Sequence, residues 1–254
     1  MEPVSRRQMS YGAGTRAHGA AVDAGLRAHM LKVYNYMSVA LVLTGVIAWY
    51  AYQAAVAGVA PDGQVMLTSF GQTLYLSPLR WVVMLSPLAF VVVLSFGIQK
   101  LSTLTAQTLF WAFAATMGLS LSSIFLVYTG DSIARVFFIT AATFGAMSLY
   151  GYTTKRDLSG MGSFLFMGLI GLIIAMVVNL FVQSSMMAFG ISVIGVLIFV
   201  GLTAWDTQLI KNLYLGSREN DETVGKLAIM GALRLYLDFI NLFLMLLRLL
   251  GNRN

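Results

Sequence analysis

Hydrophobic positions dominate the chain from residue 31 onward, in seven long apolar runs separated by polar connections. They lie at about Lys32–Ala57, Arg80–Ile98, Thr105–Tyr128, Ile133–Tyr152, Ser159–Val182, Met187–Ile210 and Lys226–Leu250. A bilayer core of about 30 Å takes about 20 helical residues, so each run is long enough to cross it or nearly so. Trp49, Tyr50 and Tyr52 sit where the first run meets the headgroups, a level that suits aromatic rings with one wet edge. The connection Gly58–Leu79 is the longest and carries the turn signal Pro61-Asp62-Gly63. Pro87 removes a backbone donor inside the second run and predicts a kink there. Thr129-Gly130-Asp131-Ser132 predicts a tight turn and an N-cap. Lys211–Gly225, with Arg218, Glu219, Asp221 and Glu222, is the most polar connection. The remaining connections span a few residues, which makes sequential helices antiparallel neighbours. The fold class is therefore an all-α membrane protein, a seven-transmembrane helix bundle over 31–254.

Residues 1–30 are small, polar and basic. They predict a flexible cytosolic N-terminal tail, without the apolar core of a removable signal. Of 254 residues, 58% are hydrophobic and 10% charged, against about 25% charged in soluble domains. The lipid bilayer is thus the first partner. The net charge of +6 is not a nucleic-acid signature, because the basic residues stand at the ends of apolar runs. With the N-terminus cytosolic, Arg6, Arg7, Arg16, Arg27, Lys32, Lys100, Lys155, Arg156, Lys211, Arg218 and Lys226 fall inside and Arg80, Arg135, Arg248 and Arg253 outside, eleven against four. Positive charge kept inside favours that orientation. The seventh run carries Arg234 and Asp238, so a re-entrant segment with the C-terminus inside also stays open.

Cysteine is absent, which excludes disulfides and thiolate chemistry. The two histidines, His18 and His29, precede the first apolar run, so no histidine site is expected in the body of the chain. Glycines at 145, 151, 168, 171, 190 and 195 read as close helix packing through small residues.

Candidate chemistry lies in the last third. Asp206 falls inside the sixth run and Asp238 near the middle of the seventh. An intramembrane carboxylate costs about +2.5 to +3.5 kcal/mol on insertion scales unless protonated, paired or wetted. Arg234 at i−4 and Asn241 at i+3 share the helix face of Asp238. Three arrangements follow. Arg234 could neutralise Asp238 within one helix. The two aspartates could meet and share a proton, since both cannot ionise cheaply. Or a basic side chain from another helix, Lys100 being the candidate, could hold Asp206. Carboxylate oxygens suit Ca²⁺ or another hard cation, so Asp206 and Asp238 are candidate sites of transient metal contact. The bland reading is a buried ion pair that fixes helix register.

Gly201-Leu-Thr-Ala-Trp-Asp206-Thr-Gln208, with Leu235-Tyr236-Leu-Asp238-Phe-Ile-Asn241-Leu-Phe243, resembles the Bax inhibitor (transmembrane Bax inhibitor motif) family in its bacterial branch. Leu94-Ser-Phe-Gly97 before Lys100 is similar to that branch as well. The resemblance implies seven helices with the C-terminal helix central, in the bacterial inner membrane. It implies a passive, pH-gated cation leak, with Ca²⁺ as the permeant ion and no cofactor. The gating, pH-sensing residues would be Asp206 and Asp238, with Lys100 as the basic residue of the second helix; Arg234 and Asn241 are supporting candidates by their place on the face of Asp238. Some bacterial relatives bind and restrain a membrane-embedded protease, so a protease or quality-control partner is the rival expectation. A third reading, an intramembrane aspartyl protease, also needs two aspartates, but the resemblance argues against an enzyme.

Overall fold

The computed structural model describes residues 5–61, 64–217 and 221–254. Residues 1–4 of the expected tail, part of the Pro61-Asp62-Gly63 turn, and Arg218 and Glu219 lie outside the described residues. Helix α1 runs Ser5–Ala55, and strands β1 (Val56–Val59) and β2 (Val65–Leu67) follow. The remaining helices are α2 (Ser69–Tyr75), α3 (Leu79–Gly97), α4 (Thr103–Leu121), α5 (Ile124–Val127), α6 (Gly130–Thr153), α7 (Ser159–Val182), α8 (Ser185–Gly216) and α9 (Asp221–Leu250). Among the described residues seven spans are long and apolar enough to cross a membrane, the first being Ala24–Ala55 and the last Glu222–Leu250.

Three local outcomes differ from the sequence reading. The longest connection is not bare loop: β1 and β2 pair as an antiparallel hairpin, and α2 packs behind it. The third run breaks at Ser122 and Ser123, whose hydroxyls bond back to Leu119 and Ser120 carbonyls. That offers the backbone an alternative to continuing the helix. Helices α8 and α9 extend well into the supposed polar loop, because Leu213, Tyr214, Thr223 and Leu227 keep helical character where the charges dilute the hydropathy.

The C-terminal helix is the axis. In the apolar window of α9, 72% is buried, against 11% in α3 and α7, which face lipid. Helices α1, α4, α6 and α8 all pack on α9. The reason is legible in its side chains: Ala228, Ala232, Leu235, Tyr236 and Leu242 are fully buried on several faces of one helix. The end of α9 is tied down. Asn252 donates to the Ser132 hydroxyl at 2.8 Å and accepts from the Thr129 amide at 3.1 Å. Asn254 donates to the Val127 carbonyl at 3.0 Å. The neighbouring Phe125 packs on Trp49 and Tyr52 near the end of α1. The chain therefore ends at the face of the bundle opposite the start of the first span, and α9 is a full crossing rather than a re-entrant segment.

Between helices the attraction is packing and hydrogen bonding, since lipid is as apolar as leucine. Gly151 of α6 lies directly against the backbone of Ala204 in α8, with no room for a side chain. Gly168 and Gly195 also sit under neighbouring side chains, whereas Gly145, Gly171 and Gly190 face open space. A polar clamp joins α1, α4 and α9: Thr44 donates to the Ala114 carbonyl at 2.8 Å and takes the Tyr236 hydroxyl at 2.7 Å. Both side chains are buried. Thr44→Val should therefore cost about 1–3 kcal/mol, because the Tyr236 hydroxyl then has no acceptor. Thermal unfolding in detergent checks it, and adding Tyr236→Phe should recover part of the loss. An equal or larger loss in the double variant would contradict the clamp.

Candidate functional site

Asp206 lies ten residues before the end of α8, roughly 15 Å along the helix. Asp238 lies sixteen residues past Glu222 in α9, roughly 24 Å along it. The antiparallel packing of α8 on α9 brings the two carboxyls side by side, close enough for the charge of each to act on the other. Both residues are buried. Asp206 Oδ1 also takes a hydrogen bond from Arg234 Nη1 at 3.1 Å. Asp238 Oδ2 is buried without a partner among the described residues.

The cation is thus on the same helix as Asp238 but pairs across to Asp206. The i−4 arithmetic, which offered an Arg234–Asp238 pair, is corrected by direction: side chains on a helix lean toward its N-terminus, and Arg234 leans away from Asp238 toward α8. Its side chain is 44% exposed, against 8% for Asp206. Arg234 therefore stands with one end on the pair and the rest of its side chain at the outer surface of the bundle. Lys100 does not reach Asp206. It is exposed in the turn after α3, a helix packed mainly on α4. Asn241 is half-buried, and its side-chain amide donates to the Leu237 carbonyl of its own helix at 2.8 Å. That corrects the expectation that it joins the carboxyl cluster.

The three polar residues Asp206-Thr207-Gln208 face three neighbours, since successive helical residues turn by about 100°. Asp206 faces α9. Thr207 meets Ser148 of α6 at 2.9 Å, and Ser148 in turn meets Tyr34 of α1 at 2.5 Å. Gln208 accepts from the Leu158 amide and donates to the Arg156 carbonyl, both at 2.8 Å, which holds the α6–α7 turn. Lys211 Nζ adds a bond to the Tyr152 carbonyl at 2.8 Å. These supporting roles of Thr207, Gln208 and Ser148 were missed by sequence reasoning. Gln208 was visible as a polar residue within an apolar run, but nothing local signals its partner fifty residues away. In the same turn Asp157 Oδ1 accepts from the Ser159 amide at 2.9 Å, which holds its carboxyl below the usual range.

Past Asp238 the core turns apolar. Phe239, Ile240, Leu242, Phe243, Met245 and Leu247 are buried toward the end of α9. Phe144 and Phe137 pack edge-on against Phe239 at 5.5 and 5.4 Å. A short polar row, Arg234–Asp206–Asp238, thus lies between α8 and α9 and stops there. Such an arrangement can hold or lose a proton, and it meets a cation with carboxylate oxygens. No cluster of three or more His, Cys, Asp or Glu side chains occurs among the described residues. Two carboxylates supply fewer oxygens than the six to eight that hold Ca²⁺.

A family model described as inhibitor of apoptosis-promoting Bax1 matches residues 26–254. A protein of Rickettsia prowazekii is 51% identical over 240 residues, covering 94% of this chain and 95% of its own. The inner membrane protein YbhL of Escherichia coli is 50% identical over 232 residues, covering 91% of this chain and 94% of its own. A protein of Caulobacter vibrioides is 42% identical over 231 residues, covering 91% of each chain.

Proposed function

The chain belongs to the Bax inhibitor family of membrane proteins, and from that premise we propose that it is a passive, pH-gated cation leak, with Ca²⁺ as the permeant ion. The observation that carries the reading is the buried Asp206–Asp238 contact, with Arg234 beside it and an apolar plug beyond. In the closed state the two carboxyls share one proton. When it leaves, two like charges face each other in a medium that screens them poorly, and they separate. Because α8 and α9 each carry one carboxyl, separation moves the helices and loosens the aromatic plug at Phe239. Ionised carboxylates then line the path and attract the cation. No covalent chemistry is involved.

The reading places the protein in the bacterial inner membrane, as the name of the Escherichia coli relative suggests. Its N-terminus is cytosolic, by the excess of Lys and Arg at that end. Arg234 then opens toward the cytosol, so the gate reads cytosolic pH.

Purified protein in liposomes loaded with a Ca²⁺ dye tests this. Wild-type flux should rise as pH rises, and Asp206→Asn and Asp238→Asn should each flatten that dependence. Unchanged pH profiles in both variants would remove the gate from these residues. Absent flux at every pH, with a membrane protease co-purifying, would turn the reading toward a regulator of that protease.

A further inference from the structure

His29 is the one histidine whose side chain is described, and it is buried within the first span at 4% exposure, not in a solvated tail. Its ring stacks on Tyr214 of α8, with centroids 4.6 Å apart and planes at 22°. Both ring nitrogens, Nδ1 and Nε2, lack a hydrogen-bond partner. A buried polar group left so costs free energy comparable to a lost hydrogen bond. The ring also lines a small cavity of about 20 Å³ together with Ile210, Leu213, Met230, Gly231 and Arg234. A water needs about 10–15 Å³ and a few polar neighbours. This cavity has the room, and of its lining residues His29 and Arg234 carry polar side-chain atoms, the His29 nitrogens being unpartnered.

We propose that one water sits in this cavity, bonded to His29 and Arg234, and that the protonation state of His29 decides how firmly Arg234 is held on Asp206. His29 is then a positioning residue for the carboxyl pair. A neutral imidazole offers one acceptor nitrogen, so the water receives a hydrogen bond from Arg234 and passes one to the ring. Arg234 is held from both sides, by Asp206 directly and by His29 through the water. A protonated ring offers donors alone. Its charge faces Lys32 on its own helix and Arg234 on α9, with Tyr214 of α8 against its face. The two cations repel it, and Arg234 has an exposed side toward which to yield. Asp206 then loses part of its counter-charge, and the carboxyls keep their shared proton. Acid closes the gate twice, once at the aspartates and once through His29. No atom other than the proton changes hands.

The flux consequence rests on the leak proposed above; the coupling of His29 to Arg234 does not. Two measurements on the full chain keep them apart. In Ca²⁺-dye liposomes, wild-type flux against pH should show a steepness of about two protons, and His29→Gln, which keeps a neutral acceptor at all pH, about one. The His29→Gln midpoint should move to lower pH by about half a unit or more, because Arg234 then stays on Asp206. A ring with a packing role alone would change yield without changing steepness. In a His18→Gln background His29 is the sole imidazole, and its titration can be followed by NMR with labelled histidine. That titration should shift when Arg234 is replaced by Gln. Unaltered steepness and midpoint in His29→Gln, or an imidazole titration indifferent to Arg234→Gln, overturns the proposal. If wild-type liposomes show no pH-dependent flux, the leak reading fails and the NMR result decides the coupling by itself.

Discussion

Gly151→Leu should leave little folded protein in the membrane. Gly151 is where α6 crosses α8, and a Cβ there would land on the carbonyl and Cα of Ala204. Backbone, unlike the far end of a side chain, cannot rotate aside, and Ala204 is fully buried in a helix of 32 residues. Overpacking a fitted interface costs about 1–3 kcal/mol and more where backbone must shift, so about 3 kcal/mol or more is expected here. The displaced segment of α8 also carries Asp206, Thr207 and Gln208, so the carboxyl contact and the α6–α7 turn would be lost together. Yield and thermal unfolding in detergent measure it. Gly145→Leu, on the same helix, is the control, because its Cβ meets open space. A Gly151→Leu protein that accumulates and melts like wild type would contradict the close crossing.

Arg234→Gln should move the onset of the leak to higher pH, by on the order of one unit. The sign follows from which form Arg234 supports. It stands 3.1 Å from Asp206 and favours the ionised carboxylate. Without it the pair keeps its proton further up the pH scale, and the gate opens later. Losing one partner of a fully buried ion pair costs about 3–5 kcal/mol. Arg234 is 44% exposed and screened, so one to two kcal/mol, or about one pH unit, is the discounted figure. Asp206→Asn on top of Arg234→Gln should restore stability, since no unpaired charge remains at that position, and should not restore the pH response. Lys100→Gln should change neither, which separates the observed partner from the residue that sequence reasoning put forward. An Arg234→Gln profile lying on the wild-type curve would show that the guanidinium plays no part in the gate.

The site was legible in part. Asp206 and Asp238 stood out because a carboxylate in an apolar run is costly wherever the chain goes, and cost does not depend on the fold. Their partners did not stand out. Arg234 sat four residues from Asp238 and still chose Asp206, because the lean of a helical side chain and the position of α8 decide the pairing. Lys100 carried the right charge on a helix that packs elsewhere. Asn241 lay on the right face but found its own helix's carbonyl first. His29 was set aside with the polar tail, because hydropathy places the start of a span only to within a few residues. The structure begins that span at Ala24 and buries the ring against Tyr214.

What the chain of residues determined alone was its solvent and its count of long apolar runs. Twenty apolar residues in a row have one inexpensive conformation in lipid, a helix that satisfies its own backbone, and this is a local property. Composition likewise excluded cysteine chemistry before any folding was considered. Tertiary structure decided the order around α9, the break at Ser122 and Ser123, and which cation meets which carboxyl. Those outcomes depend on pairs of residues far apart in sequence, such as Gly151 with Ala204 and Thr44 with Tyr236, whose distance exists only once the helices have packed.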